Sequence, residues 1–296
     1  MIEGIFVEGL IYAIMALGVF FTFRVLDFPD LTVDGSFPMG AVIMASCLHK
    51  GVDPVSGLVL AFSGGVLAGF VTAAIHNKLK VPHLLAGILT MTMLYSVNIR
   101  ILSNKANLPL LRVDTLLTRV HDATQGIIPP EYASLIFFIL VVLFLKVALD
   151  LFFITDMGLV FGALGNNEQM VRVQGVNPAT LKLIGVGISN GLVALSGAFA
   201  AQYQGFADVN LGQGIVVSGL ASVMLGEFLL KSNRISILTL RVILGAILFK
   251  GIMYLGRYYG YYINMTPNDL KLITGLLIIA SLAVANFKRL KAKGVS

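Results

Sequence analysis

Apolar residues in this chain run in blocks and do not alternate with polar ones. Nine blocks approach the roughly 20 residues that carry a helix across bilayer hydrocarbon. They cover residues 2–23, 37–48, 54–75, 82–102, 133–154, 181–203, 214–230, 235–254 and 270–287. The second block is too short to cross alone. It contains Pro38 and follows Asp27, Asp30 and Asp34, so it reads as half of a broken helix. Non-helical backbone at membrane depth persists only where protein buries it or a cavity borders it. The pattern predicts an all-α polytopic membrane protein of about nine membrane segments, forming a single transmembrane domain over residues 1–296.

Composition narrows the class. Hydrophobic residues make up 57% of the 296 positions and charged residues 12%, about half the ~25% usual in soluble domains. The mean hydropathy is +0.90. These values exclude a cytosolic enzyme, a disordered chain and a secreted disulfide scaffold. The single cysteine, Cys47, rules out a disulfide framework within the chain and a Cys-based metal site, and reads as a small packing residue. The 31 glycines let membrane helices approach closely. Gly65-x-x-x-Gly69 and Gly187-x-x-x-Gly191 each place two glycines on one helix face, which predicts tight packing within the subunit, with subunit dimerisation as the alternative.

The net charge of +6 reports basic loops that orient the chain and implies no nucleic-acid partner. The first block carries Glu3 and Glu8 and no basic n-region, so it reads as a membrane helix and not as a signal peptide. Arg24 follows it, which favours an outside N-terminus. Alternation then puts Lys78, Lys80, Arg172, Lys182 and the basic tail 288–296 on the inner side, a modest positive-inside bias. Within spans, Lys146 and Asp150 stand at i,i+4 and are expected to pair; Arg241 has Glu227 as a possible partner.

Two connectors resemble each other. Phe28-Pro29-Asp30-Leu31-Thr32-Val33 aligns with Phe206-Ala207-Asp208-Val209-Asn210-Leu211. Each follows a long apolar block and precedes a short Gly-containing one, and the expected topology puts them on opposite sides. Either the chain contains two inverted four-segment repeats with broken helices (about 2–102 and 181–288, linked by 103–154), or two polar connectors agree by chance. Inverted repeats with interrupted helices line the pathway of many transporters. On that reading Asp30, Thr32, Asp34, Asp208, Asn210 and Gln213 are candidates to line it. The aspartates lack the rest of an EF-hand loop.

The inner loop 156–180 is long enough for structure of its own. Asn166 is positioned to cap a short helix, with Gln169 three residues on and Glu168 in the first turn. Gly175 suits a left-handed helix stop, and Asn177-Pro178 caps and starts the next membrane helix. Such a helix could fit a groove on a cytoplasmic partner or could be an ordinary structured loop. Thr266-Pro267-Asn268-Asp269 offers a similar start signal for the last span.

Gly162-Ala163-Leu164-Gly165-Asn166-Asn167-Glu168, running through Arg172-Val173-Gln174-Gly175-Val176-Asn177 into a Gly-rich apolar helix, resembles the coupling region of permease subunits of ABC importers, in the branched-chain amino acid and ribose permease superfamily. Gly9-Leu10, Ala16-Leu17-Gly18, residues 27–32, Gly35 and Gly40-Ala41 resemble the first-repeat pattern of that family. The usual Asn-Phe-Ala motif is replaced by Leu31-Thr32-Val33-Asp34-Gly35, a variant similar to a subgroup associated with aromatic amino acid uptake. The resemblance implies a homodimeric permease of the bacterial cytoplasmic membrane, N-terminus outside and C-terminus inside. A cytoplasmic ATPase would hold the ATP and Mg, and this chain would hold no cofactor. An extracytoplasmic binding protein would deliver an amino acid or similar small solute for transport by alternating access. It also implies an ATPase-coupling segment at Gly165, Asn166, Asn167, Glu168, Gln169, Arg172 and Gly175.

No Gly-x-x-x-x-Gly-Lys-Ser/Thr stretch, His-Glu-x-x-His or Gly-x-Ser-x-Gly element occurs in the sequence, so the chain carries no recognisable ATPase, zinc or serine-hydrolase signature and no catalytic residues are assigned. The four histidines lie at span ends or in loops. An ion-coupled secondary transporter is the alternative reading, and an integral-membrane enzyme a more remote one.

Overall fold

The computed structural model describes residues 2–111, 113–126, 129–230 and 234–260, with residues 272, 274–276 and 279 beyond them. In chain order the elements are α1 (Ile2–Phe20), a π-helical turn (Phe21–Val25), α2 (Val33–His49), α3 (Pro54–Leu79), α4 (His83–Ile101), β1 (Asn107–Pro109), α5 (Leu116–Ala123), α6 (Pro130–Ile154), α7 (Asp156–Asn166), α8 (Glu168–Val173), α9 (Pro178–Gln204), β2 (Phe206–Asp208), a 3-10 turn (Val209–Gly212), α10 (Ile215–Leu229) and α11 (Ile235–Gly260). Among the described residues, seven helices are long and apolar enough to cross a membrane. α2, with 17 residues, rises about 25 Å and falls just short. The expected ninth span at 270–287 and its start signal at Thr266 lie largely outside the described residues.

Local chemistry sets the helix ends. Asp53 caps α3, its carboxylate accepting from Val55 N at 3.1 Å, and Pro54 opens the helix. Asn177 caps α9 in the same way, accepting from Ala179 N at 3.0 Å ahead of Pro178. Gly205 closes α9 in the left-handed region, at φ +77°, where a side chain would be strained. α2 starts four residues before the apolar block and runs through Pro38 without a break. Proline cannot donate to the carbonyl of Asp34 one turn back. Gly212 packs against that carbonyl so closely that a Cβ there would stand 1.9 Å from it.

α1 and α9 form the centre. They run antiparallel: Ser189 Oγ donates to Gly18 O at 2.6 Å and Ser196 Oγ to Ile11 O at 2.7 Å. α3 lies along α9 with Gly65 and Gly69 directly on the Asn190 and Val186 carbonyls, while Gly187 and Gly191 receive Phe70 and Phe62. Both small-residue motifs thus serve packing within the subunit. α11 lies along α1 in the corresponding way, with Gly9 against Ile247 and Glu8 paired to Lys250 at 3.3 Å. α10 packs on α11 as α2 does on α3. Outward-facing side chains of the peripheral helices, such as Phe144 (72% exposed) and Leu151, are apolar. A surface of that kind is stable only against lipid or further protein.

The two faces of the bundle differ. On one, the ends of α1 and α10 meet α7, α8 and the start of α9: Arg24 bonds Glu227 at 2.9 Å, and Asn77, near the end of α3, donates to Ala179 O at 2.9 Å. On the other, β1 and β2 form an antiparallel ribbon (Asn107 opposite Asp208, Pro109 opposite Phe206). His49, at the end of α2, bonds Pro109 O at 2.9 Å. The amphipathic α5, opened by a Thr115–Thr118 capping box, ties Arg119 to Asp53 there. The ribbon and α5 occupy a stretch that the sequence pattern leaves as a plain linker.

Candidate translocation and coupling sites

The two resembling connectors enter the bundle from opposite faces. The first leaves α1 at the α8 face, passes Asp27 at φ +51° and leads extended into α2. The second leaves α9 at the ribbon face and leads through the 3-10 turn into α10. Each turns on an aspartate bonded to the amide two residues on: Thr32 N donates to Asp30 Oδ1 at 2.8 Å, and Asn210 N to Asp208 Oδ1 at 2.7 Å. This Asx geometry needs a short acceptor side chain, which explains why aspartate stands at both positions.

The short helices meet at their N-termini. The Asp34 carboxylate, in the first turn of α2, accepts from Gly214 N at 2.9 Å and Val216 N at 2.8 Å in the first turn of α10. It thereby satisfies amides that α10 cannot satisfy itself, and its charge suits the positive end of that helix. A cavity of about 430 Å³ opens beside this junction, lined by Asp34, Pro38, Tyr95, Asn98, Asn210 and Gln213. A second, of about 310 Å³, is lined by Gln213, Gly214, Ser218, Glu8, Tyr12 and Lys250. Gln213, just before α10, lines both, so the segment that leads into α10 borders the two cavities.

The other pathway candidates lie elsewhere. Asp30 and Thr32 are buried in a polar network. Asn190 Nδ2 donates to Asp30 Oδ2 at 2.6 Å, Ser36 Oγ donates to Asn190 Oδ1 at 2.7 Å, and the Thr32 and Thr72 hydroxyls share a bond of 2.6 Å. This network locks α2, α3 and α9 together. Asp208 belongs to the ribbon, bonded by Asn107 Nδ2 at 3.3 Å. Sequence reasoning missed Asn190, Ser36 and Thr72. The available signal was Asn190 itself, an amide inside a Gly-rich apolar span, where polar side chains are rare and need partners. The expected pairs of Lys146 with Asp150 and of Arg241 with Glu227 are present.

On the opposite face α7 and α8 form a tight corner. Gly165 packs where a Cβ would stand 2.1 Å from Val25 O, which holds α7 against the end of α1. Asn166 is the last residue of α7, and the cap of α8 is Asn167, whose side chain accepts from Met170 N at 3.1 Å. The expected cap is therefore displaced by one residue. α7 continues through Asn166, and the chain first turns extended (φ −156°) at Asn167. Gly175, at φ +83°, ends α8 with Val176 N bonded to Val171 O at 3.3 Å, the left-handed stop its sequence position predicts.

Val171 anchors α8 in the core, while Gln169, Met170, Arg172 and Val173 face outward, Val173 at 87% exposure. Glu168 turns inward. Lys182 of α9 bonds it at 2.8 Å and Arg172 at 3.2 Å. The hydrogen bond from Lys182 is the main cause that holds the Glu168 carboxyl below its ordinary value of 4.5. Lys182, a lone cation one turn into a membrane helix, was the sequence signal for this clamp.

Two helices whose N-termini abut beside cavities, within a bundle of apolar helices, are features met in solute transporters, and the class they point to is a membrane permease. The family described as "Branched-chain amino acid transport system / permease component" matches residues 1–282, and the chain belongs to it. It is a multi-pass transport subunit and not an enzyme. It is 41% identical over 285 residues to the tyrosine transport system permease protein of Clostridioides difficile, covering 96% of this chain and 91% of that one. It is 30% identical over 278 residues to an uncharacterised protein of Rickettsia prowazekii, covering 93% and 94%. An autoinducer 2 import system permease protein of Photorhabdus luminescens is 25% identical over 199 residues, covering 67% and 57%. No solved structure matches.

Proposed function

We propose that this chain is the membrane subunit of an ATP-driven, binding-protein-dependent importer for an aromatic amino acid, working by alternating access as a homodimer in the bacterial cytoplasmic membrane. The observation that carries the reading is the Asp34 junction, where the α2 and α10 N-termini close the space between two cavities. Its opening would connect them. Two inverted repeats, α1 to α4 and α9 onward, account for the matched Asx turns, the opposite entry of the connectors and the exchange of α3-on-α9 for α11-on-α1 packing. The ninth segment would complete the second repeat. The likeness to a tyrosine transport permease supports the substrate class.

The α7–α8 corner is the coupling element. Its outward Met170, Arg172 and Val173 would enter a groove on a cytoplasmic ATPase, which holds the ATP and Mg. An extracytoplasmic binding protein would dock on the ribbon face, with the N-terminus outside. Because Gly165 touches the end of α1 and Lys182 sits on α9, movement of α8 reaches both central helices.

The test is uptake of labelled tyrosine into proteoliposomes holding this chain, its ATPase and its binding protein. The reading expects uptake that needs all three and ATP. Uptake by the chain alone under an ion gradient would establish the secondary-transport alternative and refute the importer.

A further inference from the structure

At the α8 face a cavity of about 410 Å³ opens between α1, α6, α7 and α11, lined by Phe20, Val25, Phe153, Leu159, Ile235 and Leu238 as its apolar wall and by Arg24 and Arg241. The two guanidiniums share one carboxylate oxygen. Arg24 Nε lies 2.9 Å and Arg241 Nη2 3.0 Å from Glu227 Oε1. The pair therefore keeps one positive charge beyond what Glu227 neutralises. Arg241 is only 8% exposed, and among the described residues its Nε–H has no acceptor. A buried donor left unsatisfied is costly, and a guanidinium is shaped to bind phosphate with several parallel bonds. Four helix ends converge here, so the site stands at the level of a membrane boundary.

We infer that this cavity binds the phosphate headgroup of an anionic phospholipid through Arg24 and Arg241, with an acyl chain along its apolar wall. The charge selects an anion. The aromatic and aliphatic wall selects a lipid over free phosphate, and basic pockets between helices bind anionic headgroups in this way. A lipid there would bridge the end of α1, the start of α11 and α7. Two glycines shape the cavity. Gly158 sits tight on the α6 end, whereas a Cβ at Gly162 would meet nothing within 4 Å.

The experiment uses the purified full chain in neutral detergent and native mass spectrometry. Phosphatidylglycerol and phosphatidylcholine of equal chain length are titrated separately, with inorganic phosphate as a third arm. Expected is preferential retention of phosphatidylglycerol with no measurable phosphate binding. Arg24→Gln, at a half-exposed position, should weaken phosphatidylglycerol about fivefold, the equivalent of ~1 kcal/mol for one cation at a membrane surface. Gly162→Leu, at a position where a Cβ meets nothing within 4 Å, projects into the apolar part and should abolish retention while the folded chain keeps its melting temperature. Equal retention of both lipids, phosphate binding that survives Gly162→Leu, or phosphatidylglycerol binding unchanged in both variants would each overturn the assignment.

Discussion

Asp34→Ala is the substitution whose consequence follows most directly from the geometry. The wild-type carboxylate makes two bonds, to Gly214 N and Val216 N, and stands at the N-terminal end of α10. Hydrogen bonds to a charged group contribute about 1.5–3 kcal/mol each. The neighbouring cavity lets water replace part of the loss, so the lower figure applies. Two bonds at about 1.5 kcal/mol give ~3 kcal/mol, near a hundredfold in equilibrium. A midpoint lowered by roughly 6 °C follows, at about 2 °C per kcal/mol for a chain of this size. Asp34→Asn keeps one acceptor oxygen and loses the charge, so it should lose about half as much. Thermal melting followed by size-exclusion chromatography measures both variants. Transport should fall more steeply than stability, because an α10 freed at its start no longer closes one cavity from the other. If Asp34→Ala melts with the wild type, the carboxylate does not hold the short helices together and the gate assigned to it is wrong.

Gly65→Ala brings a methyl carbon within 2.3 Å of Asn190 O and should cost about 1–3 kcal/mol by overpacking. Gly251→Ala, where a Cβ meets nothing within 4 Å, should be neutral in the same melts. Glu168 has its folded pKa held below 4.5 by Lys182, so the stability its clamp contributes is fully present above about 4.5 and is lost as pH falls through the lower folded value. Amide exchange across 168–173, corrected for intrinsic rates, should stay protected from pH 8 to 5 and open under acid, and Glu168→Gln should remove that dependence. Arg172→Glu reverses an outward charge on α8 and should reduce ATP-driven uptake by roughly tenfold or more, while the lost pair with Glu168 lowers the melting temperature by only about 1–2 °C; full uptake would remove Arg172 from the docking surface.

The apolar blocks revealed the long helices because span length and hydropathy are local properties. Glycine spacing on spans three and six announced close packing within the subunit because a missing side chain leaves a mark in the sequence; that the two spans pack on each other did not show there. The capping residues were nearly as legible: Gly175 and Asn177-Pro178 act as read, and the α8 cap moved only from Asn166 to Asn167. What stayed hidden depends on long-range pairing. Nothing local in residues 107–109 announces a strand, since a three-residue ribbon exists only once Phe206–Asp208 lies beside it. Asp34 reads as a pathway candidate, and its hold on α10 is invisible until that helix is placed against it, 180 residues on. Asp30 and Thr32 were pathway candidates because they lie in one of the two resembling connectors. Asn190, which pairs with Asp30 and turns the site inward, lies 160 residues away.

Sidedness of α8 tests the coupling scheme most directly. Val173→Cys in a Cys47→Ala background places one exposed thiol on the outward face of α8. The account predicts that a membrane-impermeant maleimide labels it in inside-out vesicles and not in right-side-out ones, and that bound ATPase blocks the reaction. Labelling from the external side would put α8 beyond the reach of any cytoplasmic ATPase and contradict the account.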